Sequence, residues 1–297
     1  MIRAGRLVIP SLVVLVLVGA VARPARAQGA FRLTATCLKT WREDRYPSRL
    51  REVMALMTKN SDAADLYERM RWNTPLSEEH AALLLTRLEV AEATTVLDLG
   101  CGWGELLLRA MALTDSAQGI GVDSDSGLLR RGEAAAAERG LGRRVRFVCQ
   151  PAADWSSPAD RLICIGASHA WAGVDAMLNG LYELAPSGAR LLCGEGCWER
   201  PPTKAAASMF HDVLTLTAIV EQAREAGWRV LSLTAADQHE WDNFESTWHA
   251  SREAPLLGDP DSPGAIDERR RLDQRLDEYI EIYRGVLGFA YLVLARP

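Results

Sequence analysis

At 297 residues, 48% of them hydrophobic and 25% charged, the chain has the make-up of an ordinary globular protein of one large domain or two small ones. Its net charge of −5 is unevenly spread: residues 1–56 hold ten Arg or Lys against three acids, which leaves −12 on the remainder. An acidic body offers no broad electrostatic footprint for DNA or RNA, so composition favours a small-molecule or protein substrate over nucleic acid.

The first thirty residues stand apart. Met1 to Arg6 is basic, Leu7 to Val21 is an apolar run of 15 residues interrupted by Pro10, and Ala25-Arg26-Ala27 fits the small-x-small cleavage pattern. Together they have the form of a secretory signal peptide, and the run is short for a membrane span of ~20 residues. Cysteine usage points the other way. Cys149, Cys164 and Cys193 fall in presumed core strands, where a free thiol behaves as a small apolar residue, and Cys193 and Cys197 have no second pair or histidine cluster to make a zinc site. That pattern suits a reduced compartment. Two readings therefore stand for residues 1–56: a start codon placed upstream of Met54 or Met57, which leaves a cytoplasmic protein, and a real signal that exports or anchors it. Residues 57–297 form the expected domain.

From Ser61 the pattern becomes regular. Ala63 to Arg71 reads as a helix, and after Trp72-Asn73-Thr74-Pro75 a second helix begins at Ser77, a good N-cap, with Glu78 and Glu79 in its first turn and Ala81, Leu84, Leu85 and Leu88 as its buried stripe. Thr94 to Leu97 then reads as a buried strand and Glu105 to Leu113 as a helix. Between them lies Asp98-x-Gly100-x-Gly102-x-Gly104, a turn whose alternate positions have no side chain. Glycine there admits positive φ and lets a ligand touch the backbone, while the following helix points its unpaired N–H groups at the same place. The next strand, Gly119 to Asp123, ends in a carboxylate roughly 20 residues beyond the turn, where such folds place the acid that grips ribose hydroxyls. Its two oxygens suit a pair of adjacent hydroxyls, although Ser124, Asp125 and Ser126 follow at once and make a helix cap the alternative role.

This constellation resembles the first motif of the class I S-adenosylmethionine-dependent methyltransferases. The dinucleotide fingerprint spaces its glycines differently, as G-x-G-x-x-G. The resemblance extends from about residue 61 to residue 297 and implies S-adenosylmethionine as cofactor, with Asp98, Gly100, Gly102, Trp103, Gly104, Asp123 and Ser124 around it. In the enzymes it resembles, the segment before the glycine turn often covers the cofactor. Tyr67 and Trp72 are thus candidates to lie against adenosine or the sulfonium, whose charge suits an aromatic face; ordinary helix packing is their other reading.

Val145 to Val148 is the third strand. The acid that the family usually places behind it is replaced by Pro151, so the resemblance leaves adenine to backbone at Ala152 and Ala153 and to Asp154, with Trp155 nearby. Arg161 to Ile165, the fourth strand, leads into Gly166-Ala167-Ser168-His169. In the resembled enzymes this exit borders the transferable methyl, which puts Gly166 on the cofactor and makes His169 the best-placed base; a scaffold role is its alternative. Val174, Met177, Leu178, Leu181 and Leu184 form a helix stripe. Leu191 to Glu195 is the fifth strand, where Glu195 and then Glu199 are candidates to hold a substrate amine or share base duty, and Trp198 is a substrate candidate in the strand's exit.

Met209, Val213, Leu216, Val220 and Ala223 share the spacing of one amphipathic helix, closed by Gly227 before a sixth strand from Trp228 to Thr234. Residues 235–288 exceed what the common core needs and read as a lid or dimer surface. Trp241, Glu245 and Trp248 fall on one helix face, so the tryptophans are core or substrate pocket, and a charged helix follows with the stripe Leu272, Leu276, Tyr279, Ile280 and Tyr283. Phe289 to Ala295 closes the chain as a strand.

The expected fold is α/β, a doubly wound, mostly parallel seven-stranded Rossmann-like sheet with a helical insertion before its last strand. The expected activity is transfer of a methyl group from S-adenosylmethionine to an O, N or S atom of a small molecule. The alternatives are a NAD-dependent oxidoreductase, which the glycine spacing opposes, and a non-catalytic nucleotide-binding protein of the same fold. No metal or nucleic-acid partner is expected; a homodimer is a candidate assembly.

Overall fold

The structure, a computed structural model, describes Tyr67 and residues 69–297. The signal-like segment, the choice of start codon and most of the helix expected at Ala63–Arg71 lie outside the described residues. The strands are β1 (Thr95–Leu99), β2 (Gln118–Asp123), β3 (Val145–Cys149), β4 (Arg161–Ile165), β5 (Arg190–Trp198), β6 (Leu214–Thr215), β7 (Arg229–Ala235) and β8 (Leu287–Ala295). They form one sheet in the order β3-β2-β1-β4-β5-β8-β7, parallel from β3 to β5, with β8 antiparallel to both its neighbours. The seven long strands are those expected; the two-residue β6 is an addition that pairs with the end of β5.

Strand alternation sends Leu97 and Leu99 to one face and Val96 to the other, and each face is covered by helices. On the first lie α4 (Val174–Leu184) and α6 (Leu216–Glu225), through Met177, Leu178, Leu181, Ile219 and Ala223. On the second lie α1 (Glu78–Arg87), α2 (Glu105–Ala112) and α3 (Ser126–Glu138), through Leu84, Leu85, Leu107, Met111 and Ala136. Helices on both faces force every sheet ligand to the strand ends.

One helix of the expected set is broken. The 209–223 stretch divides into α5 (Lys204–Met209), β6 and α6. Leu214 and Thr215 pair with Cys197 and Trp198, and the Thr215 side chain accepts from the Ala218 N–H at 3.2 Å, so a strand pairing and an N-cap restart the helix where periodicity alone would have run through.

The insertion is a helix pair, α7 (Gln238–Gly258) and α8 (Ala265–Glu278), followed by a π turn at Tyr279–Tyr283. Leu272, Tyr279 and Tyr283 of its expected stripe are buried, whereas Leu276 is 41% and Ile280 58% exposed, since the buried face of α8 runs through Leu272, Arg275 and Tyr279. Asp237 and Glu240 form a capping box at the start of α7. Glu240 also accepts from the Ser77 N–H at 2.7 Å and from His80 Nδ1 at 3.1 Å, which fastens the insertion to the start of α1. A third apolar cluster joins Trp241, Phe244, Trp248 and Leu272 of this pair to Trp103, Phe210 and Leu287 at the carboxyl edge of the parallel strands. The insertion therefore roofs that edge. Among the described residues, no helix is long and apolar enough to cross a membrane.

Candidate active site

β1 ends in a turn where Gly100, Gly102 and Gly104 all have positive φ. The Gly100 and Cys101 N–H groups both donate to the Val122 carbonyl, at 2.9 and 3.1 Å, and so lash the turn to β2. A Cβ on Gly100 would come within 2.4 Å of the Ala167 Cβ, because the β4 exit packs directly on the turn. A Cβ on Gly102 would meet no protein atom within 4 Å. The turn is thus closed on one side by protein and open on the other.

Asp123 completes the open side. Its Oδ2 accepts from the Gly102 N–H at 2.8 Å and its Oδ1 from the Asp125 N–H at 2.9 Å. The capping role belongs to Asp125, whose side chain accepts from the Gly127 and Leu128 N–H groups at 2.7 and 3.2 Å. Each Asp123 oxygen retains acceptor capacity for a ligand hydroxyl. Beneath it Asp98 is 4% exposed; burial first, and the Asp123 charge second, push its carboxyl up to about 8.

At the β4 exit, Gly166 donates to the Gly194 carbonyl at 2.7 Å, and Ser168–Trp171 forms a 3-10 turn. His169 Nδ1 is buried and has no hydrogen-bond partner among the described residues. Burial lowers its pKa from 6.5, against the opposing pull of the Asp123 charge and a backbone hydrogen bond at Gly166. Glu195 is buried under this turn and accepts from the Ser168 N–H at 3.0 Å; burial lifts its carboxyl to about 7 despite that bond. The carboxyl of Glu195, expected as a base or amine holder, braces the turn that carries His169. The Ala152–Asp154 turn lies against the Ser168–Trp171 turn, with Ala152 buried and Ala153, Asp154 and, on the β2 exit, Ser124 exposed.

The aromatic candidates divide. Trp103 turns out of the cleft: its ring lies 5.7 Å from that of Tyr67, Arg131 covers it at 4.2 Å, and its Nε1 donates to the Arg71 carbonyl at 3.1 Å. Tyr67 consequently packs on Trp103, and Trp72 lies under Arg109 at 4.8 Å beside α2, so neither has its expected position over the cleft shown by these contacts. Trp198 meets Phe210 edge-on at 6.3 Å. Trp241 packs against Phe244 and Tyr283 with its Nε1 buried and unpartnered among the described residues. Trp248 is held between Arg252 and Arg275, at 3.7 and 3.9 Å, as a packing residue. Sequence reasoning missed Arg275, which makes a bidentate pair with the buried Glu245 at 3.0 Å for each bond, while Tyr283 Oη donates to the same carboxylate at 3.0 Å. Its signal was available: Arg275 lies three residues after Leu272 and four before Tyr279, on the buried face of α8.

Comparison with known proteins identifies the domain. A family model described as a methyltransferase domain matches residues 96–188, from β1 through α4. The crystal structure of a S-adenosylmethionine-dependent methyltransferase from Geobacter sulfurreducens, in complex with S-adenosyl-L-homocysteine, superposes with a TM-score of 0.72 at 26% identity, covering 79% of this chain and 97% of that one. The chain carries a methyltransferase domain and the fold of a S-adenosylmethionine-dependent methyltransferase. A second such methyltransferase, from Thiobacillus denitrificans and also bound to S-adenosyl-L-homocysteine, has a TM-score of 0.71 at 26% identity over 78% of this chain and 97% of that one. The uncharacterized protein YjhP of Escherichia coli is 29% identical over 232 residues, 75% of this chain and 93% of its own, and its crystal structure superposes with a TM-score of 0.71.

The residues of this methyltransferase fit the family's cofactor. Gly102 leaves side-chain-sized space above its backbone, and the Asp123 carboxylate beside it is fixed by two N–H groups yet still able to accept. A cationic ligand would also lie beside the Asp123 carboxylate, while Asp98 beneath it holds its proton and stays uncharged.

Proposed function

We propose that this enzyme methylates an O, N or S atom of a small molecule, with His169 as the base and Asp123, Gly100, Gly102, Gly104 and Gly166 around the cofactor. Bound S-adenosylmethionine supplies a methyl group already activated on a sulfonium. The protein's share of the reaction is alignment, exclusion of water and management of one proton. Asp123 accepts from an adjacent pair of hydroxyls, and the bare backbone at Gly102 allows close approach. Backbone at Ala152 and Ala153, with Asp154 and Ser124 at the rim, flanks the same side. The acidic surface and the aromatic roof over the carboxyl edge support an uncharged or cationic organic acceptor of limited size.

The observation that carries the reading is the buried Nδ1 of His169, unpartnered among the described residues, on a turn braced by Glu195 and within the field of Asp123. Burial holds the imidazole neutral at pH 7, the form that removes a proton from an attacking hydroxyl, amine or thiol. The test is a screen of a metabolite extract with methyl-labelled S-adenosylmethionine, comparing the natural sequence with His169→Ala. Label that appears in one compound with the first protein and fades with the second is the expected result. Equal labelling by both proteins would remove His169 from the reaction.

A further inference from the structure

A cavity of about 370 Å³ opens beside α2 and α3, lined by Arg69, Arg71, Arg109, Arg131 and Arg139 around Glu105, with Met70 and Trp103 in its wall. None of Gly102, Asp123, His169 or Glu195 lines it, so it is separate from the cleft, and of the glycine-turn residues only Trp103 is in its wall. We propose that this cavity is a second binding site and that it takes a phosphate-bearing small molecule.

Charge is the first reason. Glu105 accepts from Arg109 Nε at 2.8 Å and from Arg139 at 2.6 Å. Glu78, beside the cavity, accepts from Arg71 and again from Arg109. Two carboxylates thus hold three guanidiniums in place and leave the group, with the exposed Arg69, in surplus of positive charge. The chain as a whole is acidic, so this concentration is local. Arginine forks bind phosphate oxygens in pairs, and guanidiniums already fixed by carboxylates lose little freedom when they do so.

The buried wall behind the arginines is the second reason. Met70 is 2% and Trp103 6% exposed, and the Glu105 side chain is 12% exposed, so the wall is dry while the arginines reach outward. Arg131 donates to the Tyr67 and Met70 carbonyls at 2.7 and 2.9 Å and covers one face of Trp103, which closes the inner end.

The experiment is calorimetric titration of the full chain with pyrophosphate, with acetate as a monovalent comparison and S-adenosylmethionine as a control for the cleft. Saturable one-site binding of pyrophosphate, at least tenfold weaker in Arg69→Gln/Arg139→Gln and unchanged in the surface control Arg229→Gln, is expected. S-adenosylmethionine affinity stays the same in all three proteins, which separates this site from the proposed methyl-transfer machinery. Should the double variant fail to fold, Arg69→Gln alone carries the test and weakens pyrophosphate about threefold. Absence of saturable pyrophosphate binding, equal binding by the arginine variants, or acetate binding as tight as pyrophosphate would each overturn the proposal and leave an ion-pair network that only ties α2 to α3.

Discussion

Asp123 Oδ2 accepts a hydrogen bond from the Gly102 N–H at 2.8 Å, so the acid at the end of β2 and the middle glycine after β1 form one rigid unit across 21 residues of sequence. Asp123→Ala removes both that brace and the proposed partner of the ligand hydroxyls. Two hydrogen bonds to a charged group are at stake, each worth about 1.5–3 kcal/mol. S-adenosylmethionine affinity is expected to fall by a factor of about 100 or more in a calorimetric titration, while Asp123→Asn, which retains one acceptor oxygen, loses less.

Gly100 and Gly102 separate fold from ligand. Gly100→Ala forces a Cβ to 2.4 Å from that of Ala167 at a φ of +75°, and should cost about 2 kcal/mol or more in urea unfolding. Gly102→Ala meets no protein atom and costs only the φ penalty of about 1 kcal/mol, yet its methyl group enters the ligand's space. Its signature is nearly intact stability with strongly weakened S-adenosylmethionine binding. The reverse pattern in the two variants would misplace the open side of the turn.

His169→Ala should lower turnover by about 10²–10⁴-fold and leave cofactor affinity within a factor of two. With the natural residue, kcat/KM rises with pH along an acid limb whose midpoint lies below 6.5, because burial disfavours the imidazolium. Above that limb the profile is flat as far as His169 is concerned. A midpoint above 6.5 would contradict the neutral-imidazole reading.

Glu195 and Asp98 make stability depend on pH. Their folded-state pKa values, about 7 and about 8, lie above the ordinary 4.5 and 3.8, so the folded protein holds these protons more tightly than the unfolded chain does. Their contribution to stability is intact below about pH 4 and is lost as pH rises through 7 to 8. Glu195→Gln keeps the shape without the titration. Its advantage over the natural residue should grow from pH 5 to pH 8, by an amount on the order of 3 kcal/mol, in unfolding curves taken at both pH values.

The Glu245–Arg275 pair holds the roof together from two helices, with both side chains 10% exposed or less. Arg275→Met alone leaves a buried carboxylate without its partner and should cost about 3–5 kcal/mol. Adding Glu245→Leu removes the stranded charge and should recover most of that loss, although Tyr283 then lacks its acceptor. Urea denaturation of the two single variants and the double measures the coupling.

Elements governed by neighbours in sequence were legible without coordinates. The glycine turn, Asp123 at the tip of the second strand and the stripe of α4 each depend on spacing within one strand, turn or helix. The errors arose where distant chain decided the outcome. The 209–223 helix broke because Cys197 and Trp198 offered Leu214 and Thr215 a strand partner, and Leu276 turned outward because the buried position beside it was taken by Arg275, held by Glu245 of the other helix. Glu195 was legible as a buried acid at the right edge, but its partner is the N–H of Ser168, 27 residues away, which no local pattern identifies.

The order of strands and helices, the glycine turn and the acid beside it were determined by the sequence itself, since hydrophobic period and side-chain-free turn positions act over a few residues at a time. Which face of each tryptophan is free, which carboxylate braces the His169 turn and where the arginines gather were decided only by tertiary structure. Those outcomes depend on contacts such as Glu240 with Ser77, across 163 residues, and a contact of that range exists only after the sheet has brought its two ends together.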